Sequence, residues 1–225
     1  MTGRFILFLS SVILLAILGF IFWPNLLSLV RPDADLDRIE ARYRDFLSER
    51  NLDDPIPEVS IVVIKSSHML YLLSGDELVE RWRIALGQNP EGDKIEADDG
   101  RTPEGVFHII ARDSNSPNHL MLQLDYPGTV DADIALGRGL IDQRTHQDIY
   151  RNLTNGRIPP QNTALGGNIG IHGGGVSRNW TNGSVAVDDN VIEILWFACP
   201  NGTAVRIIPT FEDWELSGVM PSYVE

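Results

Sequence analysis

The chain has 225 residues, 43% of them apolar and 22% charged, with a formal charge of −13. That apolar content is too high for a disordered chain, and the length suits one domain with an appendage. All 31 acidic residues and 17 of the 18 basic ones lie after residue 30, so a nucleic acid meets repulsion over most of that surface. The only cysteine, Cys199, excludes an internal disulfide, a cysteine-rich zinc site and a redox pair.

Phe5 to Trp23 runs nineteen positions without a charge. As a helix it reaches about 28 Å, close to the thickness of a bilayer's hydrocarbon core. The run exceeds a signal-peptide core of about 7–15 residues, and no small-x-small cleavage site follows it. Trp23-Pro24 places an interfacial aromatic before a helix stop. Residues 1–30 are therefore expected to be an uncleaved signal anchor, with a cleaved signal peptide as the alternative. Arg4 and a short N-terminus favour a cytoplasmic start, which makes this a single-pass inner-membrane protein with a periplasmic domain.

Residues 31–57 are expected to form a short amphipathic stalk or docking helix and a linker. Leu36, Ile39, Tyr43, Phe46 and Leu47 make one apolar stripe at helical spacing, Asp33 or Asp35 can cap the start, and Asn51–Pro57 breaks the pattern. Strand signals follow at Val59–Ile64, Met69–Leu73 and Leu78–Leu86, with a turn at Ser74–Asp76. Gly105–Ala111, Leu120–Leu124 and Ala204–Ile208 are further strand candidates, separated by loops rich in Gly, Pro and Asp. Helices are expected near Asp142–Leu153 and over Asp189–Ala198. Residues 58–210 thus read as a mostly β domain with a minor helical part, and 211–225 as a C-terminal tail.

The densest run of special residues is Ile169–Asp188. An apolar strand delivers His172 into Gly173-Gly174-Gly175, and Ser184 follows twelve residues after His172, at a turn leading into Val185-Ala186-Val187. A hydroxyl and an imidazole on neighbouring strand ends, with backbone N–H groups nearby, are the minimum apparatus for acyl transfer. The same letters also occur in plain glycine-rich loops.

The order of landmarks adds to this. A strand carrying Lys65, then Leu70–Leu73, Ala85-Leu86-Gly87, the string GRTPEG at Gly100–Gly105, Asp125-Tyr126-Pro127, Ile171-His172-Gly173 and Gly202–Val205 follow one another. In this order the chain resembles the L,D-transpeptidase catalytic domain (YkuD domain) over roughly residues 59–208. The resemblance implies a β-sandwich, peptidoglycan stem peptides as partners, no cofactor and no metal. It also implies L,D-transpeptidase or related carboxypeptidase or hydrolase chemistry, with His172 as base and residue 184 as nucleophile. Gly183 and Gly173, with Asn182, are then expected to shape the pocket, and the Gly183 and Ser184 N–H groups to hold an oxyanion. Arg178 and Trp180 become candidates for substrate binding.

The departure is at the nucleophile. The family motif ends in cysteine, whereas this chain reads Trp180-Thr181-Asn182-Gly183-Ser184, with Ala186 where many members carry arginine. A thiol with a pKa near 8.5 can be stored as a thiolate beside an imidazole. A serine must lose its proton during the attack, to a histidine oriented by a third group. Asp125, Asp188 or a backbone carbonyl are the candidates for that group. Three readings follow: a disabled relative that still grips stem peptides, a serine acyltransferase or hydrolase, or a cysteine enzyme whose nucleophile has been exchanged. His68, His108, His119 and His146 lack metal-ligand spacing and read as structural or surface residues. Cys199, on the second expected helix, reads as a small buried residue.

Overall fold

Strands β1 (Val59–Ile64), β2 (Met69–Ser74) and β3 (Glu77–Arg83) form consecutive antiparallel hairpins, because each carries β-branched or aromatic residues between tight turns. The computed structural model describes residues 35–216, so the Phe5–Trp23 segment expected as an anchor lies outside the described residues. Among those described, no helix is long and apolar enough to cross a membrane.

The remaining strands are β4 (Gly105–Asp113), β5 (Met121–Leu124), β6 (Gly170–His172), β7 (Val185–Ala186) and β8 (Ala204–Ile208). All eight join in one sheet of order β3-β2-β1-β8-β4-β5-β6-β7. The expected β-sandwich is thus corrected to a single curled sheet. The strand that turns the corner is β4: Gly105–His108 pairs with β8, while Ile109–Asp113 pairs with β5 after a register shift between Ile109 and Ala111. Such irregularities bend a strand and increase its twist.

The curl brings the last strand back to the chain beyond the first edge. Ala85 and Ala186 exchange backbone hydrogen bonds of 2.9 and 2.8 Å, and Gly87 bridges Thr181. The strand expected over Leu78–Leu86 therefore ends at Arg83, and its continuation pairs across the closed curl rather than with β2.

Among the described residues, five helices cover the sheet and its edges. Helix α1 (Leu36–Arg50) starts directly after Asp35 and buries Ile39, Tyr43, Phe46 and Leu47, four of the five stripe positions. It packs on α4 (Asp189–Ala198), which lies against β5 and β6. Helices α2 (Thr129–Gly137) and α3 (Gln143–Thr154) enclose a small apolar cluster of Ala132, Ala135, Ile141, Ile149 and Leu165. Asp142, expected inside α3, instead caps it by accepting a hydrogen bond from Thr145 N. Helix α2 gave no amphipathic signal in the sequence.

Helix α5 (Phe211–Leu216) falls in the region expected to be a tail. Trp214 is fully buried there with Val62, Ile64, Tyr71, Leu73 and Ile208, its ring edge-on to Tyr71 at 5.1 Å. The tail thus supplies one of the largest core side chains.

Candidate active site

Two short parallel strands, β6 and β7, set the site: Ile171 lies opposite Val185 and His172 opposite Ala186. Alternation puts His172 and Ser184 on one face of this pair, diagonally offset across the two strands. Both line one open cleft of about 560 Å³, with Gln88, Asp98, Asn118, Asn168, Trp180 and Asn182 also on its walls. His172 and Ser184 are nearly buried, at 5% and 7% exposure, so only a small part of each meets the cleft.

The imidazole is held from behind. His172 Nδ1 lies 2.7 Å from the Gly173 carbonyl oxygen. A carbonyl can only accept, so Nδ1 carries the hydrogen and Nε2 of the neutral ring keeps its lone pair. Burial lowers the His172 pKa from its ordinary value, and the Gly173 hydrogen bond opposes this. The orienting group is therefore the backbone carbonyl, one of the three candidates. Asp125 is engaged elsewhere, accepting from His108 N at 2.8 Å and facing His108 Nδ1 at 3.1 Å.

Ser184 Oγ accepts from Gly170 N at 3.2 Å and donates to the Asn168 carbonyl at 3.4 Å. No hydrogen bond joins it to His172 among the described residues. Its loop is fixed by Thr181, whose Oγ1 donates to Ser184 O at 2.6 Å and accepts from Gly183 N at 3.2 Å. The Gly183 N–H expected to face an oxyanion is thus occupied within the loop, whereas the Ser184 N–H has no partner among the described residues. Gly183 has φ of +131°, and a Cβ there would sit 2.7 Å from the Arg101 carbonyl oxygen. Only glycine lets the loop approach that backbone.

The GRTPEG string explains itself at this contact. Thr102 is fully buried, and its Oγ1 accepts from Gly87 N at 3.0 Å. Lys65 Nζ donates to the Thr102 carbonyl at 2.9 Å, the Gly92 carbonyl at 2.6 Å and Glu104 at 2.8 Å. The segment that supports the Ser184 loop is therefore pinned from β1. Nothing in the local pattern around Lys65 signalled this, because its three partners lie 27 to 39 residues away.

The other expected site residues are placed as follows. Trp180 lines the cleft with its ring 5.4 Å from that of His172, and its Nε1 donates to Gly175 O at 3.1 Å. Asn182 lines the rim and accepts from Gln88 Nε2 at 3.4 Å. Gly173 is buried behind His172 rather than on the cleft wall. Arg178 is exposed and is not among the cleft-lining residues. Cys199 is buried away from the cleft, and burial pushes its thiol up to about 12, so it supplies no thiolate near neutral pH.

The family model of the L,D-transpeptidase catalytic domain matches residues 58–207. The chain belongs to this family. No curated protein matches it. Among solved structures it is similar to the L,D-transpeptidase from Xylanimonas cellulosilytica, at 14% identity, TM-score 0.40, and coverage of 70% of this chain and 63% of that one. It is also similar to Bd1075 of Bdellovibrio bacteriovorus, at 18% identity, TM-score 0.45, and coverage of 74% and 56%. A third is the helical cell shape determining protein Pgp2 from Campylobacter jejuni, at 17% identity, TM-score 0.45, and coverage of 75% and 55%. The chain spans less than two thirds of each of these structures.

Proposed function

We propose that the domain holds a peptidoglycan stem peptide in the His172–Ser184 cleft, with a peptide carbonyl presented to residue 184. The observation that carries this reading is the shared cleft, in which an imidazole of defined tautomer and the side chain at 184 face the same space. In the acyl-transfer form of the reading, Ser184 Oγ attacks the carbonyl carbon while His172 Nε2 takes the hydroxyl proton. The new oxyanion is met by the Ser184 N–H. Collapse breaks the carbon–nitrogen bond, the imidazolium returns the proton to the leaving amine, and an ester remains on Ser184. An acceptor amine then completes transfer, and water completes hydrolysis.

A second reading, grip without turnover, is favoured by the hydrogen bonding of Ser184. Its oxygen is shared between Gly170 N and Asn168 O, and no base holds its proton. A thiolate at the same position would accept the Gly170 N–H as a charge-assisted bond, which helps a stored anion and does nothing for a neutral hydroxyl. In either form the apolar run Phe5–Trp23 tethers the domain on the wall side of the inner membrane.

Purified protein in detergent, incubated with tetrapeptide muropeptides, tests both forms. D-Ala release by the chain as it stands supports the serine enzyme. Release only after Ser184→Cys supports the disabled scaffold. Absence of binding by the parent, Ser184→Cys and His172→Ala proteins alike rejects the proposal.

A further inference from the structure

The tautomer of His172 depends on a turn, and that turn has an anchor. Asp189 Oδ1 accepts a hydrogen bond from Gly174 N at 2.8 Å. The same oxygen would lie 2.5 Å from a Cβ on Gly173, with the Asn118 carbonyl oxygen at 2.9 Å and His119 Cβ at 3.2 Å on other sides. Gly173 is thus walled in, and its carbonyl is presented to His172 Nδ1 at 2.7 Å. Gly175 N closes the turn on the Val187 carbonyl at 3.0 Å.

We infer that Asp189 is a positioning residue: by holding the Gly173–Gly174 turn it aims the Gly173 carbonyl at His172 Nδ1 and leaves Nε2 as the proton acceptor. Its own mounting is rigid. Asp189 opens α4, and one turn further along the same helix the buried carboxylate of Glu193 binds Arg38 at 2.9 Å, Arg42 at 3.0 Å and His119 at 3.0 Å. Helix α1 and the segment leading to β5 therefore fix the helix from which Asp189 reaches. A carboxylate in the first turn also suits the positive end of the helix dipole. Without the Asp189 acceptor the Gly174 N–H turns towards solvent, the carbonyl of Gly173 rotates with it, and the imidazole is free to carry its hydrogen on Nε2. That form cannot take a proton from residue 184.

The inference gains its catalytic meaning from the reading of His172 as base, but its test needs no substrate. The full chain, labelled with nitrogen-15 histidine in detergent, reports the ring tautomer by long-range proton–nitrogen correlation. The parent protein is expected to show His172 in the Nδ1–H form at neutral pH. Asp189→Ala is expected to move it towards the Nε2–H form, and Asp189→Asn, which keeps an acceptor oxygen, to restore the parent pattern. If the alanine variant does not fold, Asp189→Ser, too short to reach Gly174, takes its place. An unchanged Nδ1–H tautomer in the folded Ala or Ser variant overturns the inference, and so does an Nε2–H tautomer in the parent. Failure of muropeptides to bind the parent protein is a separate result, which strikes at the proposed function and leaves the tautomer question standing.

Discussion

Gly183→Ala is the substitution for which the site geometry gives the most definite expectation. The new methyl group starts 2.7 Å from the Arg101 carbonyl oxygen and 2.8 Å from Ile169 Cδ1, both inside any real carbon contact. Ile169 can swing its terminal methyl aside, but the Arg101 carbonyl is backbone, in a segment held by Thr102 and Lys65. The loop itself must therefore move. Holding a residue with a side chain at φ of +131° costs about 1–3 kcal/mol, and overpacking adds about 1–3 kcal/mol. The total is about 2–6 kcal/mol. Gly156→Ala is the control: its φ is +62° and nothing lies within 4 Å of the added carbon. Its cost is backbone strain alone, about 1–2 kcal/mol. Urea denaturation of both variants separates the two contributions. Muropeptide titration of the folded fraction should show weakened binding only in Gly183→Ala, because Ser184 moves off Gly170 N. Equal destabilisation of the two variants, with binding intact in both, would refute the claim that the loop is pressed against Arg101.

Trp214→Ala removes a fully buried ring from the cluster with Tyr71 and Ile208 and should cost about 3–5 kcal/mol by urea denaturation, where a dispensable tail would show no change. Removing both cations from the buried Glu193, as Arg38→Ala with Arg42→Ala, leaves a carboxylate with only His119 and should destabilise the fold by about 3 kcal/mol. Adding Glu193→Gln should then recover much of that loss, and a neutral effect of the double variant would count against a latch between α1 and α4. Burial pushes Asp131 up to about 7, with Asp93 and Asp125 adding to the shift and the Gly128 N–H opposing it. A folded pKa above the unfolded value near 4 means stability is present on the acid side and lost as pH rises towards 7. Asp131→Asn keeps an acceptor for Gly128 N and removes the charge. The variant should therefore gain on the parent between pH 4 and 7, and a difference independent of pH would contradict the assignment.

Much of the strand content was readable because a short apolar run between turn residues is a local property: β1, β2 and β8 lie where their apolar runs begin and end, give or take a residue. Helix α4 was legible for the complementary reason, with Asp189 at its start and Pro200 just beyond its end. Helix α2 was missed because Val130, Ile134 and Leu136 in Thr129–Gly137 form no single apolar stripe; it is held by the Asp131 carboxylate, which accepts from Gly128 N at 2.7 Å, and by burial of Ala132 and Ala135. Trp214 lay in a short segment with three acidic residues among six, where two aromatics, Phe211 and Trp214, gave too little pattern to show that the segment is buried.

His172 and Ser184 were both nameable from the chain, since a glycine-rich exit from an apolar strand and a turn before another are local signals. Lys65, Asp189 and the occupied Gly183 N–H were not, because each acquires its role from a partner that folding brings up. Residue order alone thus determined which groups are available: one histidine beside three glycines, a serine where a thiol is expected, and a cysteine too apolar in setting to replace it. Only the closing of the sheet decided their relation. By pairing Ala85 with Ala186 it sets Ser184 against Gly170 and Gly183 against Arg101, and by packing α4 beside β6 it brings Asp189 to Gly174 N. Hydrogen bonds and steric contacts act over a few ångströms, and in this fold those ångströms separate residues up to about a hundred positions apart along the chain.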